Sequence, residues 1–360
     1  TAYEIRLSLV GSEMCIRDRA NIVAGLNDAL GAGTYNYINT GTIGTDAIKV
    51  GLIYKPSKVT PIGTFKILNS SVNPNFIDTK SRPVLAQTFE ENATGARFTV
   101  AVAHLKSKGS NCVDVGDPDL LDGQGNCSQT RRKAADALIK WLAGDPTSSG
   151  DSDYMIVGDL NSYAKEDTID EILAGPDDVL GTADDYTNLI NQYLGTYAYS
   201  YVFDGQNGYL DHALASASMT AQVTGAAEWH INADEVDLFD YDTTFKQPAQ
   251  DALYEVNAYR TSDHDPVLVG LNLAASTPTA TPTPTSTSTP IATPTETATN
   301  TPTTTSTPTE TATSTPTSTS TPTATPTETA TNTATVTATE TETSTPTATC
   351  LLYTSDAADE

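Results

Sequence analysis

The chain has 360 residues, 45 acidic against 19 basic, and a formal net charge of −26. Such a balance excludes broad, non-specific grip on nucleic acid, which needs basic surface. A phosphodiester substrate stays open, because a divalent cation inverts the local field. No apolar run reads as a membrane span.

In chain order, residues 1–19 (TAYEIRLSLVGSEMCIRDR) resemble translated sequencing-adapter read-through. A signal peptide is disfavoured, since no apolar core follows a basic start. Residues 20–30 carry Ile22, Val23, Leu26 and Leu30 at helical spacing, with Gly31 as a stop. Residues 48–54 read as a strand, with a partner at 61–68. Residues 97–103 (RFTVAVA) are a β-branched, apolar strand ending at His104. Cys112 and Cys127 bracket a Gly/Asp-rich loop. An even pair in a chain with an extracellular-type tail points to a disulfide and an oxidising compartment. Two reduced thiols are the alternative; zinc is disfavoured because CxxC spacing is absent. Ser128 is placed to cap a helix over 128–142, with Ala135, Leu138, Ile139 and Leu142 as its buried stripe.

Residues 155–157 are a short apolar run that reads as a buried strand, ended by Gly158. Asp159 and Asn161 follow two apart, so on an extended backbone they share a face. Ordinary turn chemistry accounts for them equally well. A short helix is expected over 166–173 and an acidic surface insertion over 175–186. A strand over 209–216 holds Asp211 and His212, which point opposite ways. Residues 228–259 are polar and irregular. Asp263 and His264 precede a final strand over 267–273. Strands outnumber helices, which predicts an α/β (α+β) fold of two packed sheets with helices outside. Residues 20–275, with 34 acidic against 16 basic side chains, form the folded domain. Residues 276–349, almost wholly Thr, Pro, Ser and Ala, predict a disordered stalk. Residues 350–360 form a second adapter-like segment.

Four polar positions fall at strand ends: His104, Asp159 with Asn161, Asp211, and Asp263 with His264. A lone histidine is more often structural than chemical. Together the four supply what phosphodiester hydrolysis requires. A carboxylate holds a divalent cation, a base or positioned acid activates water, and neutral donors meet the charge growing on phosphorus oxygens. Asp114, Asp117, Asp119 and Asp122, and later Asp177, Asp178, Asp184 and Asp185, offer acidic loops for Ca²⁺, although solvated loops are the plainer reading.

Five segments then carry a resemblance: 44–56 (GTDAIKVGLIYKP), 103–109 (AHLKSKG), 158–161 (GDLN), 208–213 (GYLDHA) and 262–266 (SDHDP). Their series resembles the endonuclease/exonuclease/phosphatase (deoxyribonuclease I-like) superfamily. Residues 123–141 and 229–234 (WHINAD) resemble its secreted ExeM/NucH-like bacterial branch. The resemblance implies a four-layer α/β/β/α sandwich of two mixed sheets, and a secreted nuclease acting on DNA or RNA with Mg²⁺ or Mn²⁺. Asp159 would position water or help the leaving oxygen, and Asn161 would stabilise five-coordinate phosphorus. Asp263 would bind the cation. His264, oriented by Asp211, would act on the phosphate or as base, and His104 would be a second phosphate-facing histidine, with Asp46 orienting it. Lys106 and Arg131 are the candidate substrate cations. The family's upstream Asn and metal-binding Glu have no counterpart in residues 1–19, so the chain reads as N-terminally truncated and impaired. Glu13 does not take over that role. A monomer is expected, the stalk leading to a cell-surface anchor or further domain. Alternatives are a phosphatase or phospholipid phosphodiesterase of the same fold, or a non-catalytic stalked module.

Overall fold

Alternation with a period of two sets the middle of the molecule. Val100, Val102, Met155, Val157, Ala213 and Ala215 face one apolar core. Their neighbours Ala101, Ala103, Ile156 and Leu214 face another. Both faces of these strands are therefore buried, so the sheet they form lies inside the molecule.

The computed structural model describes residues 16–274 except 47, 240–245 and 256. The chain divides into two units, and every described residue lies in the first. The expectations for residues 1–15 and for 275–360, stalk included, lie outside the described residues.

Helix α1 (Ile16–Leu30) leads to the short strands β1 (Asn36–Tyr37) and β2 (Ile53–Tyr54). Three long strands follow: β3 (Val59–Leu68), β4 (Arg82–Glu91) and β5 (Arg97–His104). Then come α2 (Ser128–Ala143), β6 (Tyr154–Asp159), α3 (Asp167–Leu173), β7 (Tyr186–Asn188) and α4 (Leu189–Leu194). The hairpin β8 (Tyr201–Phe203) and β9 (Gln206–Gly208) precedes β10 (Asp211–Ser216), α5 (Ala217–Thr220), β11 (Val223–Glu228) and β12 (Val267–Leu271).

A six-stranded mixed sheet runs in the order β3-β4-β5-β6-β10-β7. β5 and β6 are parallel and their neighbours antiparallel. Helices α2 and α3 cover one face, where Ala134, Ala135 and Ala137 join the core that holds Ala101 and Ala103. On the other face, residues in and beside the antiparallel ribbons β1–β2 and β11–β12 supply Leu52, Tyr54, Val267, Val269 and Leu271. Val23 of α1 packs outside that layer against Tyr35 and Ile53. The result is the four-layer sandwich the resemblance implied.

Details differ from the sequence reading. The expected strand over 48–54 shrinks to Ile53–Tyr54. β4 escaped notice because Pro83, Gln87 and Thr88 interrupt its apolar pattern; buried Gln87 donates to the carbonyls of Ile62 and Thr88, and Thr88 pairs with Thr99 and Thr147. Helix α1 starts upstream of residue 20, and Arg19 is buried, donating to Val50 O, Thr40 Oγ1 and Gly41 O. Ser128 does not cap α2. Cys127 holds the cap position at φ 64°, and the Asp117 carboxylate accepts the Thr130 amide at 2.7 Å. The expected Cys112–Cys127 disulfide is present, with Cα atoms 5.3 Å apart.

Candidate active site at the sheet edge

Strand register gathers the first three residues. His104 is opposite Asp159 across the parallel β5–β6 pair, and Asp159 is opposite Asp211 across β6–β10. All three continue the alternation that faces the ribbon layer, and all are buried. Gly158 makes the strand end possible. Its φ is +137°, and a Cβ there would fall 1.9 Å from Ala103 O. Asn161 then turns back with φ 48°. Its backbone N–H and its Nδ2 donate to Asp159 at 2.7 and 2.9 Å, and Nδ2 also donates to Leu105 O at 3.1 Å.

The other layer brings His264 across. Its Nδ1 donates to Asp211 Oδ2 at 2.6 Å, and the Ser200 hydroxyl donates to the same oxygen at 2.7 Å. The Tyr201 ring lies 4.4 Å from the imidazole, centroid to centroid. Burial works against a charged imidazole here, but the Asp211 and Asp263 carboxylates outweigh it and push His264 up to about 10. Burial chiefly pushes Asp159 up to about 6, against the pull of His104 and His264. The edge therefore favours a protonated His264 beside a carboxylate raised above its ordinary range.

A cavity of about 490 Å³ opens onto this edge. Asp159, Asn161, Asp263 and His264 line it, with Lys108, Gly123 and Gly125 on one wall and Tyr163, Tyr201, Phe203 and Leu210 on others.

Several expected residues are placed differently. His104 is buried, 3.5 Å from Asp159 Oδ2, and is not among the residues lining the cavity. Asp46 does not touch it: Arg82 intervenes, with Nε 3.0 Å from Asp46 and Nη1 3.4 Å from His104 Nε2. Asn161 commits its amide N–H groups to Asp159 and Leu105, so it orients the carboxylate rather than offering free donors. Arg131 is fully buried and does not line the cavity. Its guanidinium donates to Ser162 Oγ and to the carbonyls of Lys106, Gln124 and Asn126. Lys106 is off the cavity lining, and Lys108 takes that place, paired with Glu166 and 4.9 Å from the Tyr163 ring centroid. Sequence reasoning passed over Lys108 because both lysines stand in one polar motif. Ser200, Tyr201 and Tyr163 had no signal beyond nearness to the motifs. His212 faces away as expected, with Nε2 donating to Ser162 O at 2.8 Å.

The donor set is a poor cage for a divalent cation. Among the described residues no group of three or more His, Cys, Asp or Glu side chains converges. Asp263, its side chain only 12% exposed, lies 3.9 Å from His264 Nε2, and Asp159 is engaged by Asn161. Asp114 pairs with Lys80, Asp117 caps α2, and Asp119, Asp122, Asp177 and Asp185 accept hydrogen bonds from amides in their own turns.

No family model matches the sequence, and no curated protein matches it. Among solved structures, the chain is similar to an endonuclease/exonuclease/phosphatase from Bacteroides vulgatus at 15% identity, covering 75% of this chain and 85% of that one, TM-score 0.46. It is similar to the Bacteroides thetaiotaomicron mannosyl-6-phosphatase at 14% identity, covering 75% and 100%, TM-score 0.47. A third is D. rerio TDP2 complexed with single strand DNA product, at 15% identity, covering 75% and 98%, TM-score 0.43.

Proposed function

We propose that this chain is a phosphoester hydrolase of the endonuclease/exonuclease/phosphatase kind that cuts nucleic-acid phosphodiesters outside the cell. The observation that carries the reading is the cavity, which sets the Asp211-held imidazolium of His264 and the Asp159 carboxylate beside an aromatic wall. Asp159 accepts a proton from water as its oxygen bonds to phosphorus. His264 faces the growing negative charge and gives its proton to the leaving oxygen as the ester bond breaks. Phe203, on the cavity wall and 48% exposed, offers a ring face to a base flanking the scissile bond, and such stacking tolerates any sequence. The disulfide supports an oxidising compartment.

Incubation of the full chain with single-stranded DNA, RNA, a sugar phosphomonoester and a phospholipid headgroup diester, each with Mg²⁺ and with EDTA, tests the reading. Preferred cleavage of the nucleic acids is expected. Preference for the phosphomonoester or the headgroup diester overturns the substrate class, and inertness toward all four overturns the activity.

A further inference from the structure

The segment 229–234, singled out in the sequence, is not spent on the cavity. It is spent on the turn that carries His264. The carboxylate of Asp265, fully buried, accepts three successive backbone N–H groups at Oδ1: Ile231 at 3.1 Å, Asn232 at 2.9 Å and Ala233 at 3.0 Å. Its Oδ2 lies 2.7 Å from His230 Nδ1. A nest of consecutive amides is an anion-binding concavity, and here the anion is the chain's own side chain. The same segment reaches His264 directly, because Asn232 Nδ2 donates to the His264 carbonyl at 2.7 Å. On the opposite side the Asp265 amide donates to Ser200 O at 2.7 Å, and the Ser200 hydroxyl holds Asp211.

We propose that Asp265 is a positioning residue: seated in the 231–233 amide nest, it fixes the turn so that His264 Nδ1 stays on Asp211 Oδ2. The proposal rests on the phosphoester-hydrolase reading for its effect on rate, but not for its effect on geometry. Two features favour this over a purely structural role. Every anchor converges on the residues flanking His264 rather than on the core. Asp265 also ties together two separate segments around the site, since its carboxylate binds the segment after β11 while its amide binds Ser200, whose hydroxyl holds Asp211. Asp265→Ala keeps the backbone link but empties the nest, leaving three buried amides without their acceptor. Asp265→Asn keeps one acceptor oxygen for the nest.

The test uses the full chain labelled with ¹⁵N-histidine, which has four histidines. The His264 Nδ1–H resonance reports the bond to Asp211, and the His212 Nε2–H resonance, bonded to the Ser162 carbonyl, is the internal control. In Asp265→Ala the His264 signal is expected to broaden or vanish while the His212 signal stays. Turnover on a single-stranded oligonucleotide should fall at least about tenfold with KM within about twofold, and Asp265→Asn should recover most of both. Retention of the His264 signal, or loss of both signals together, overturns the proposal. If the His264 signal is lost selectively but even the unmodified chain turns over no phosphoester, the positioning stands and the functional reading falls.

Discussion

His212 and His264 are both buried, yet their environments drive them to opposite charge states. Burial lowers His212 to about 4, its bond to the Ser162 carbonyl and the nearby Asp211 only partly compensating. His264, with Asp211 and Asp263 beside it, is raised. The depressed value has a consequence for stability. Below about pH 6.5 the unfolded chain protonates His212 while the folded chain does not, so stability is lost as pH falls from about 6.5 toward about 4. At about 1.4 kcal/mol per unit the full loss is roughly 3 kcal/mol. His212→Gln, which keeps a donor for Ser162, should flatten that slope in urea titrations between pH 4 and 7.5; an unchanged slope would assign it to other groups. The exclusion of His212 was legible in the sequence, because adjacent residues on a strand face opposite ways. The placement of Lys108 was not. Lys106 and Lys108 sit in one motif, and only the disulfide loop and Glu166 decide which faces the cavity.

At the scale of elements, the β5–β6–β10 edge was readable because each strand announces itself by an apolar run with a polar residue at its end. β4, an interior strand one in from the edge, was hidden by buried polar residues that satisfy one another across strands. The β5–β6 junction is the least forgiving point. Gly158→Ala puts a methyl 1.9 Å from Ala103 O at a φ of +137°. The two strands must separate, so a loss of at least about 3 kcal/mol or insoluble protein is expected; a soluble variant with an unshifted urea midpoint would contradict the packing. The disulfide loop is the second vulnerable element. It supplies Gly123 and Gly125 to the cavity wall and is held by Cys112–Cys127 and by Arg131 beneath it. Opening the 15-residue span costs about 3 kcal/mol in the chain-entropy account. Cys112→Ser with Cys127→Ser should lower the urea midpoint accordingly and reduce turnover together with it. Equal turnover in the oxidised and cysteine-free proteins would mean the loop is not a working wall of the site.

For the whole molecule, charge and site geometry give one picture. The net charge of −26 denies a phosphate backbone any broad contact, and the cationic groups lining the cavity are Lys108 and His264. Two phosphate contacts on a single strand predict a shallow salt dependence, an affinity loss of about sevenfold between 50 and 200 mM salt. A drop of a thousandfold in a fluorescence-anisotropy titration would reveal a basic surface elsewhere. The claim on which the account turns is the Asp211–His264 pair, built where the two layers meet. Asp211→Asn keeps an acceptor for Ser200 and removes the carboxylate that holds the imidazolium. The direct measurement is turnover of a single-stranded oligonucleotide by the full chain and by Asp211→Asn, with melting temperatures recorded alongside. The account predicts a loss of about a hundredfold or more in kcat, KM within about twofold, and a melting temperature lowered by loss of the buried ion pair but still above the assay temperature. Equal kcat in the two proteins would contradict it.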